Sequence, residues 1–169
     1  TLSFSEDRSY VDISIRLTEN VRSLIDSVKI LGLDSVSEDI VIDVRQKLLL
    51  KSGDPYIKNN VVEAQSAILR TLMNAGYPKA FLDTLSLLRY ASTNNVTVML
   101  KFNPGKRYFF GDTRFDHDDK DIDSVVMLRQ LDFSPGEVFN EERRLVSEQN
   151  LNRLGVFEFA SVRQQRAGA

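Results

Sequence analysis

Apolar and polar residues alternate along residues 11–17, which read V-D-I-S-I-R-L. A period of two residues is typical of a β-strand with one buried face. Residues 96–102, which read V-T-V-M-L-K-F and lie 85 positions later, carry apolar side chains at the same alternate places. Both segments are therefore predicted to be strands with equivalent positions in the fold.

The similarity between these two parts of the chain continues at the same spacing. Residues 19–20 align with 104–105, and with small gaps the stretch around Val44 aligns with the stretch around Leu128. Self-similarity of this length indicates repeated modules. The Pro-Gly break at 104–105 is therefore predicted to separate two modules, although a short Pro-Gly loop between apolar runs otherwise favours a β-hairpin.

One complete copy is predicted between residues 21 and 105, with strands at 23–31, 81–90 and 96–102 and helices at 37–50 and 59–75. Apolar residues spaced three and four apart define one face of each helix. The predicted fold class is α+β, with tandem βααββ modules that each pack two helices on a three-stranded mixed sheet. The predicted core comprises Val28, Ile30, Val41, Val44, Leu48, Ile68, Leu72, Val98 and Leu100.

Residues with special roles mark the predicted helix ends. Ser37, followed by Glu38 and Asp39, is a typical capping residue with acidic residues in the first turn. Gly76 is predicted to take a left-handed conformation where the second helix ends. The corresponding interval before Gly155 is four residues shorter, so the second helix of the later copy is predicted to be about one turn shorter.

The repeat predicts three parts along the chain. Residues 1–20 are the terminal strands of a truncated preceding module, 21–105 form a complete module, and 106–169 form a module without its last strand. Residues 156–163 are predicted to be the fourth element of that last module. Because the chain starts with Thr1 inside an apparent strand, we expect it to be a fragment of a longer protein.

Composition narrows the function classes. The chain is 42% hydrophobic and 27% charged, has a net charge of −2 and contains no cysteine. The charge provides no overall attraction to nucleic acid, and the lack of cysteine excludes disulfides and thiolate metal sites. A βααβ order also resembles KH-type RNA-binding domains, but residues 53–56 do not form the Gly-x-x-Gly loop that those domains need.

Residues 116–123 contain the strongest candidate for a metal site. Asp119, Asp121 and Asp123 have the spacing of a calcium-binding loop. Ser124 stands where such a loop needs glycine, and Gln130 stands where it needs a bidentate glutamate. A solvated turn that leads into a helix is the better interpretation, and no metal is predicted.

Catalytic patterns are equally incomplete. His117 is the only histidine in the chain and has no activated nucleophile in a recognisable pattern. Gly105-Lys106 is followed by Arg107 where a phosphate-binding loop needs serine or threonine. We predict no enzymatic activity and no cofactor.

Four segments, in this order and at this spacing, carry a resemblance to a known family. They are L-M-N-A-G-Y-P-K-A at 72–80, F-N-P-G-K-R-Y-F-F-G at 102–111, F-S-P-G-E-V-F-N at 133–140 and L-N-R-L-G-V-F at 151–157. Together with the βααββ order they resemble POTRA (polypeptide-transport-associated) domains of the bacterial surface-antigen superfamily. The match is looser at the first junction, where Glu19-Asn20 replaces Pro-Gly and Asp26 replaces glycine.

The resemblance implies a periplasmic location, ahead of a β-barrel in the outer membrane. It also implies binding of unfolded outer-membrane protein segments and accessory periplasmic lipoproteins, without enzymatic activity. By the same resemblance, the strand at 81–90 is expected to bind peptides along its edge by β-augmentation. The expected residues are Phe81, Asp83, Leu85, Leu87 and Arg89.

Two alternatives and one further hypothesis stay open from the sequence. The strand at 81–90 is alternatively covered by a neighbouring module, and the chain is alternatively a rigid spacer that binds no client. Residues 10–17 are equivalent by the repeat to the strand that the last module lacks. We therefore hypothesise that the chain self-associates through residues 10–17, which complete the sheet at 107–165 of another copy.

Overall fold

A computed structural model describes residues 2–4, 11–17, 22–116 and 123–163. The chain begins with a two-stranded antiparallel hairpin of β1 (Leu2–Phe4) and β2 (Val11–Ile13). Leu2 lies opposite Ile13 in this hairpin. The predicted strand at 11–17 is therefore regular only over its first residues.

A complete βααββ module follows the hairpin. Its elements are β3 (Leu24–Leu31), α1 (Glu38–Gln46), α2 (Lys58–Asn74), β4 (Phe81–Tyr90) and β5 (Asn95–Asn103). The three strands are within one residue of their predicted bounds, as is the second helix. The predicted α+β module is confirmed.

The sheet of this module has β5 at its centre. β5 pairs with β3 in parallel and with β4 antiparallel, so the sheet is mixed, as predicted. β3 and β4 each have β5 as their strand partner and do not pair with each other. The central strand therefore holds both outer strands in the sheet.

The first helix is shorter than predicted. It begins after Ser37 and ends at Gln46, whereas the sequence predicts 37–50. The Ser37 side chain makes no capping hydrogen bond; its backbone carbonyl accepts from the amides of Ile40 and Val41. Leu48 and Leu50 nevertheless pack into the core from the loop that follows. Because Leu48 and Leu50 are apolar at helical spacing, the sequence pattern predicts a helix that continues past its actual end at Gln46.

The core lies between the two helices and the sheet. Val44 of α1 and Ile68 and Leu72 of α2 are buried against Val98 and Leu100 of β5. The remaining predicted core residues, Val28, Ile30, Val41 and Leu48, are partly buried and pack against this cluster. The predicted packing faces of both helices are confirmed.

Gly76 takes a left-handed conformation at the end of α2, as predicted. This glycine has φ +102°, and the amide of Tyr77 donates to the carbonyl of Leu72 at 3.0 Å. That bond, together with the one from Gly76 to Met73, forms a Schellman motif. Gly155 also has positive φ, of +67°, after the later helix.

The chain after β5 forms a second unit with helices α3 (Ser124–Leu128) and α4 (Glu141–Arg153). α4 has 13 residues where α2 has 17, which confirms the predicted shortening by about one turn. Phe110 lies in the core of this unit and stacks on Phe133 with ring centroids 4.0 Å apart. Phe109 makes an isolated bridge with Val138, and the Pro-Gly break before it does not form a hairpin.

The strand predicted at 156–163 is wrong. Its backbone instead bonds to side chains of α4. Asn152 exchanges two hydrogen bonds with Ala160, Glu148 accepts from the amide of Val162, and Arg144 donates to the carbonyl of Val162. These backbone polar groups therefore have their hydrogen-bond partners on the helix and not on another strand.

Candidate peptide-binding edge

β4 forms one edge of the three-stranded sheet over ten residues. Within the described residues, no strand lies beyond it. Every second backbone N–H and C=O of an edge strand points away from its sheet partner and is available to another chain. The structure therefore confirms that the predicted strand Phe81–Tyr90 is an edge strand.

The opposite edge, β3, is partly covered by the loop between the helices. The amide of Gly53 donates to the carbonyl of Ile25 at 2.8 Å, and the amide of Ile25 donates to Asp54 at 2.8 Å. The amide of Tyr56 donates to the carbonyl of Ser23 at 2.9 Å. These bonds occupy the start of β3, so β4 presents the longer open edge among the described residues.

A bulge in β4 divides the five expected residues between the two faces of the sheet. Leu82 lies opposite Phe102, and Thr84 lies opposite Lys101, so Asp83 is the extra residue. Directly opposed residues of an antiparallel pair share a face. Beyond the bulge, Leu85, Leu87 and Arg89 lie opposite Leu100, Val98 and Val96, on the helix-facing side.

Phe81 lies before the bulge and opposite Asn103, on the side of the sheet away from the helices. The five residues thus do not form one continuous row. Leu88 and Tyr90 share this outer side with Phe81, and all three are exposed. Sequence reasoning missed Leu88 and Tyr90 because a bulge, which reverses the alternation of side chains, has no clear signal in L-D-T-L-S-L-L.

Leu85 and Leu87 are 42% and 43% exposed, although they lie on the helix-facing side. Their partners on β5, Leu100 and Val98, are fully buried. The helices therefore cover the central strand and leave the side chains of β4 partly open. Leu85 and Leu87 form an apolar shelf, by which we mean these two side chains, along the open edge.

Asp83 makes an ion pair across the sheet. Its carboxylate lies 2.9 Å from Nζ of Lys101. The hydrogen bond and positive charge of Lys101 lower the pKa of Asp83 below its ordinary value. A charge at a bulged position on an edge strand is a common device against indiscriminate pairing of sheets.

Arg89 ties the end of β4 to the start of the module. Its Nη2 donates to Oγ of Ser23 at 2.9 Å, and Ser23 in turn donates to Oδ1 of Asn94 at 3.2 Å. Asn94 lies in the turn between β4 and β5 with φ +56°. Arg89 therefore has a structural partner within the module, across the face of β5.

The described residues contain no group of three or more side chains suited to hold a metal ion. No helix in the described ranges is long and apolar enough to cross a membrane. His117 and Asp119 to Asp121 of the calcium-like stretch lie outside the described residues, while Asp123 caps α3 by accepting from the amide of Val125.

The described fold is similar to solved structures, while no family model and no curated protein matches the chain. Haemophilus influenzae BamA POTRA3-5 matches with a TM-score of 0.62 and 18% identity, over 94% of this chain and 61% of that chain. BamA from Haemophilus ducreyi lacking POTRA domains 1-3 matches with a TM-score of 0.68 and 21% identity, over 80% of this chain. The chain has the POTRA fold.

A more distant match extends the POTRA comparison beyond Haemophilus. POTRA1-2 of the periplasmic domain of Omp85 from Anabaena matches with a TM-score of 0.50 and 12% identity, over 79% of this chain and 78% of that chain. The chain spans 61% of the length of the Haemophilus influenzae structure and 25% of the Haemophilus ducreyi structure. At these identities the matches establish the fold, and the resemblance to POTRA domains in the sequence is confirmed at that level.

Proposed function

We propose that this chain is the periplasmic POTRA region of an outer-membrane protein assembly or secretion factor, and that it binds unfolded outer-membrane polypeptides by β-augmentation on β4. The observation that carries the proposal is the open edge of β4, which runs for ten residues while the start of β3 is covered. The role needs no catalytic step and no cofactor.

The shape of β4 suits such a client. Backbone pairing with an edge strand accepts many sequences, and specificity comes from alternate side chains. Strands of outer-membrane barrels alternate apolar and polar residues. A client strand paired with β4 would place its apolar row beside the shelf of Leu85 and Leu87, which is open at the edge.

The proposed surroundings follow from the same resemblance. The parent protein would continue into a β-barrel in the outer membrane, and accessory periplasmic lipoproteins would bind other surfaces of the modules. Nucleic acid is not a proposed partner, because the net charge of −2 provides no general attraction to phosphate.

The proposal is tested with a peptide from an outer-membrane barrel strand, titrated into the isotope-labelled chain. We expect NMR shift changes along Phe81–Tyr90 and small changes at the covered start of β3. N-methylation of alternate peptide amides distinguishes backbone pairing from hydrophobic contact. One alternate set of methyl groups should abolish binding and the other should leave it nearly intact, because only one set faces β4. Equal effects of both sets would contradict β-augmentation.

A second function, a rigid spacer between the barrel and its partners, is favoured by the junction between the two units. Oδ1 of Asn74, at the end of α2, accepts from the amide of Glu142 at 3.0 Å, at the start of α4. The side chain of Asn140 donates to the carbonyl of Asn74 at 3.0 Å, and the amide of Tyr108 donates to Gly76 at 2.7 Å. No shift changes at any peptide concentration would favour the spacer.

A further inference from the structure

The backbone groups of β4 point alternately toward β5 and toward the open edge. The carbonyl of Tyr90 accepts from the amide of Asn94 at 2.8 Å, within the turn that leads to β5. The backbone groups of Tyr90 therefore point toward β5. Because this direction reverses at each residue of an antiparallel strand, the N–H and C=O groups of Leu85, Leu87 and Arg89 point toward the open edge.

Two of these residues also provide the exposed apolar side chains of the edge. Leu85 and Leu87, which form the apolar shelf, lie opposite Leu100 and Val98, whose side chains are fully buried on the helix-facing side. The open backbone groups and the shelf therefore belong to the same two residues. A strand added at this edge would bond to Leu85 and Leu87 and would also meet their side chains.

The outer side of β4 is less suited to an apolar client. Thr84 and Ser86 lie on that side beside the shelf, and Thr84 is opposite Lys101. Leu88 and Tyr90 follow on the same side and are exposed. The helix-facing side thus offers two leucines next to a buried core, whereas the outer side begins with two hydroxyl side chains and a lysine.

The bulge at Asp83 ends the regular part of the edge. Asp83 is an extra residue between Leu82 and Thr84, which lie opposite consecutive residues of β5. An extra residue disrupts the ladder of hydrogen bonds and bends the strand. Evenly spaced backbone groups that point toward the open edge are therefore confined to residues 84–90.

We propose that the client strand runs antiparallel to residues 84–90, and that the backbone groups of its own apolar residues pair with those of Leu85 and Leu87. This inference rests on the proposed function and adds to it the direction and register of the client. In an antiparallel pair, residues that exchange both backbone hydrogen bonds lie directly opposite and share a face. Client residues that bond to Leu85 and Leu87 therefore place their side chains beside the shelf.

Antiparallel pairing is favoured on general grounds, and a parallel client would differ in a measurable way. Parallel pairing is slightly less stable per residue and is rare in sheets with a solvated face. In a parallel pair, the residues that bond to Leu85 would precede and follow the residue opposite it, so their side chains would point to the other face. The polar residues of a parallel client, and not its apolar residues, would then carry the hydrogen bonds to β4.

The direction is tested with a short barrel-strand peptide of alternating apolar and polar residues, capped at both ends and titrated into the isotope-labelled chain. One version carries N-methyl groups on two apolar residues, and the matched control carries them on two polar residues. We expect the first version to bind roughly tenfold more weakly or worse, because two backbone hydrogen bonds are lost. The control should bind within about twofold of the unmethylated peptide, since its methyl groups point away from β4.

The other outcomes separate this proposal from the proposed function. Loss of binding on methylation of the polar residues alone would overturn the proposal, because the client would then run parallel or place its apolar row on the outer side. β-Augmentation itself would stand in that case. Equal loss from both sets of methyl groups, or no binding of the unmethylated peptide, would overturn the proposed function as well.

Amide hydrogen exchange of the chain tests the assigned backbone directions. In the free chain, the amides of Leu85 and Leu87 should exchange faster than those of Ser86 and Leu88, which point toward β5. A saturating amount of the peptide should slow exchange at Leu85 and Leu87 and leave Leu82, beyond the bulge, unchanged. Faster exchange at Ser86 and Leu88 in the free chain, or protection of Leu82 by the peptide, would overturn the proposed register.

Discussion

Gly76 serves two purposes that only its lack of a side chain allows. Its φ of +102° ends α2 in a left-handed conformation. A Cβ at this position would lie 2.9 Å from Cγ1 of Val138 and 3.0 Å from Cγ of Arg107, both in the second unit. Gly155 has φ +67° but no atom within 4 Å of such a Cβ. A side chain at Gly155 would therefore meet backbone strain only, whereas a side chain at Gly76 would meet both backbone strain and steric crowding.

Replacement of each glycine by alanine is expected to destabilise the chain. Gly155→Ala should cost about 1–2 kcal/mol of unfolding free energy, because an L-residue is strained at positive φ. Gly76→Ala should cost more, since its methyl group also displaces Val138 or Arg107. Urea denaturation midpoints of the two variants provide the comparison. Equal midpoints would show that Val138 and Arg107 move away from the added methyl group without a further loss of stability.

At the scale of elements, the bulge at Asp83 decides how β4 presents its side chains. It sets Phe81 on one face of the sheet and Leu85 on the other. The ion pair between Asp83 and Lys101 spans the two strands at this point. The pair is exposed to solvent, so its main observable effect is on titration and not on overall stability.

The pH dependence of this pair has a definite sign. The pKa of Asp83 is lower in the folded chain than in the unfolded chain. The ion pair therefore stabilises the folded chain slightly at pH values above the unfolded pKa, and this stabilisation is lost as the pH falls through the folded pKa. Lys101→Met should therefore raise the pKa of Asp83 toward its ordinary value, as measured by NMR of the carboxyl carbon. Lys29→Met, on the other outer strand, is the matched control and should leave that titration unchanged. An unshifted Asp83 in Lys101→Met would contradict the assigned cause.

At the scale of the whole molecule, the two units are joined by a helix cap that one supplies to the other. Asn140 caps α4 within its own unit by accepting from the amide of Arg143. The side chain of Asn74, from the preceding module, accepts from the backbone amide of Glu142, which is one residue nearer the start of α4. The first amides of a helix lack partners within it, so a cap from another unit satisfies a real need and aligns the units.

Asn74→Ala is expected to loosen the two units without unfolding either. The variant loses the bond to the Glu142 amide and the contact with the Glu142 carboxylate, which are the side-chain bonds of Asn74 across the junction. NMR relaxation should then give different rotational correlation times for residues 24–103 and 124–153. Asn152→Ala is the control, because Asn152 bonds within the second unit only. Unchanged tumbling in Asn74→Ala would assign the alignment to the Gly76 contacts instead.

Local signals in the amino-acid sequence are sufficient to predict several elements of this fold. The period of two residues along 96–102, the apolar stripe of α2 and the glycine at 76 each report a preference of nearby residues, and all three were confirmed. The order of strands and helices, and with it the α+β class, follows from such local patterns. The edge position of β4 is predicted only by the resemblance to a family, since local pattern does not order strands in a sheet.

Contacts between residues distant in sequence determine where strands form in the second unit and how β4 is exposed. Residues 156–163 have the composition of a strand, yet a strand exists only where another strand accepts its backbone hydrogen bonds, and their partners are side chains of α4. The bulge at Asp83 and the cover over the start of β3 likewise depend on residues distant in sequence. The period of apolar residues and their strand propensity show that a segment can form a strand. Whether it does so depends on the segments that lie beside it in the folded chain.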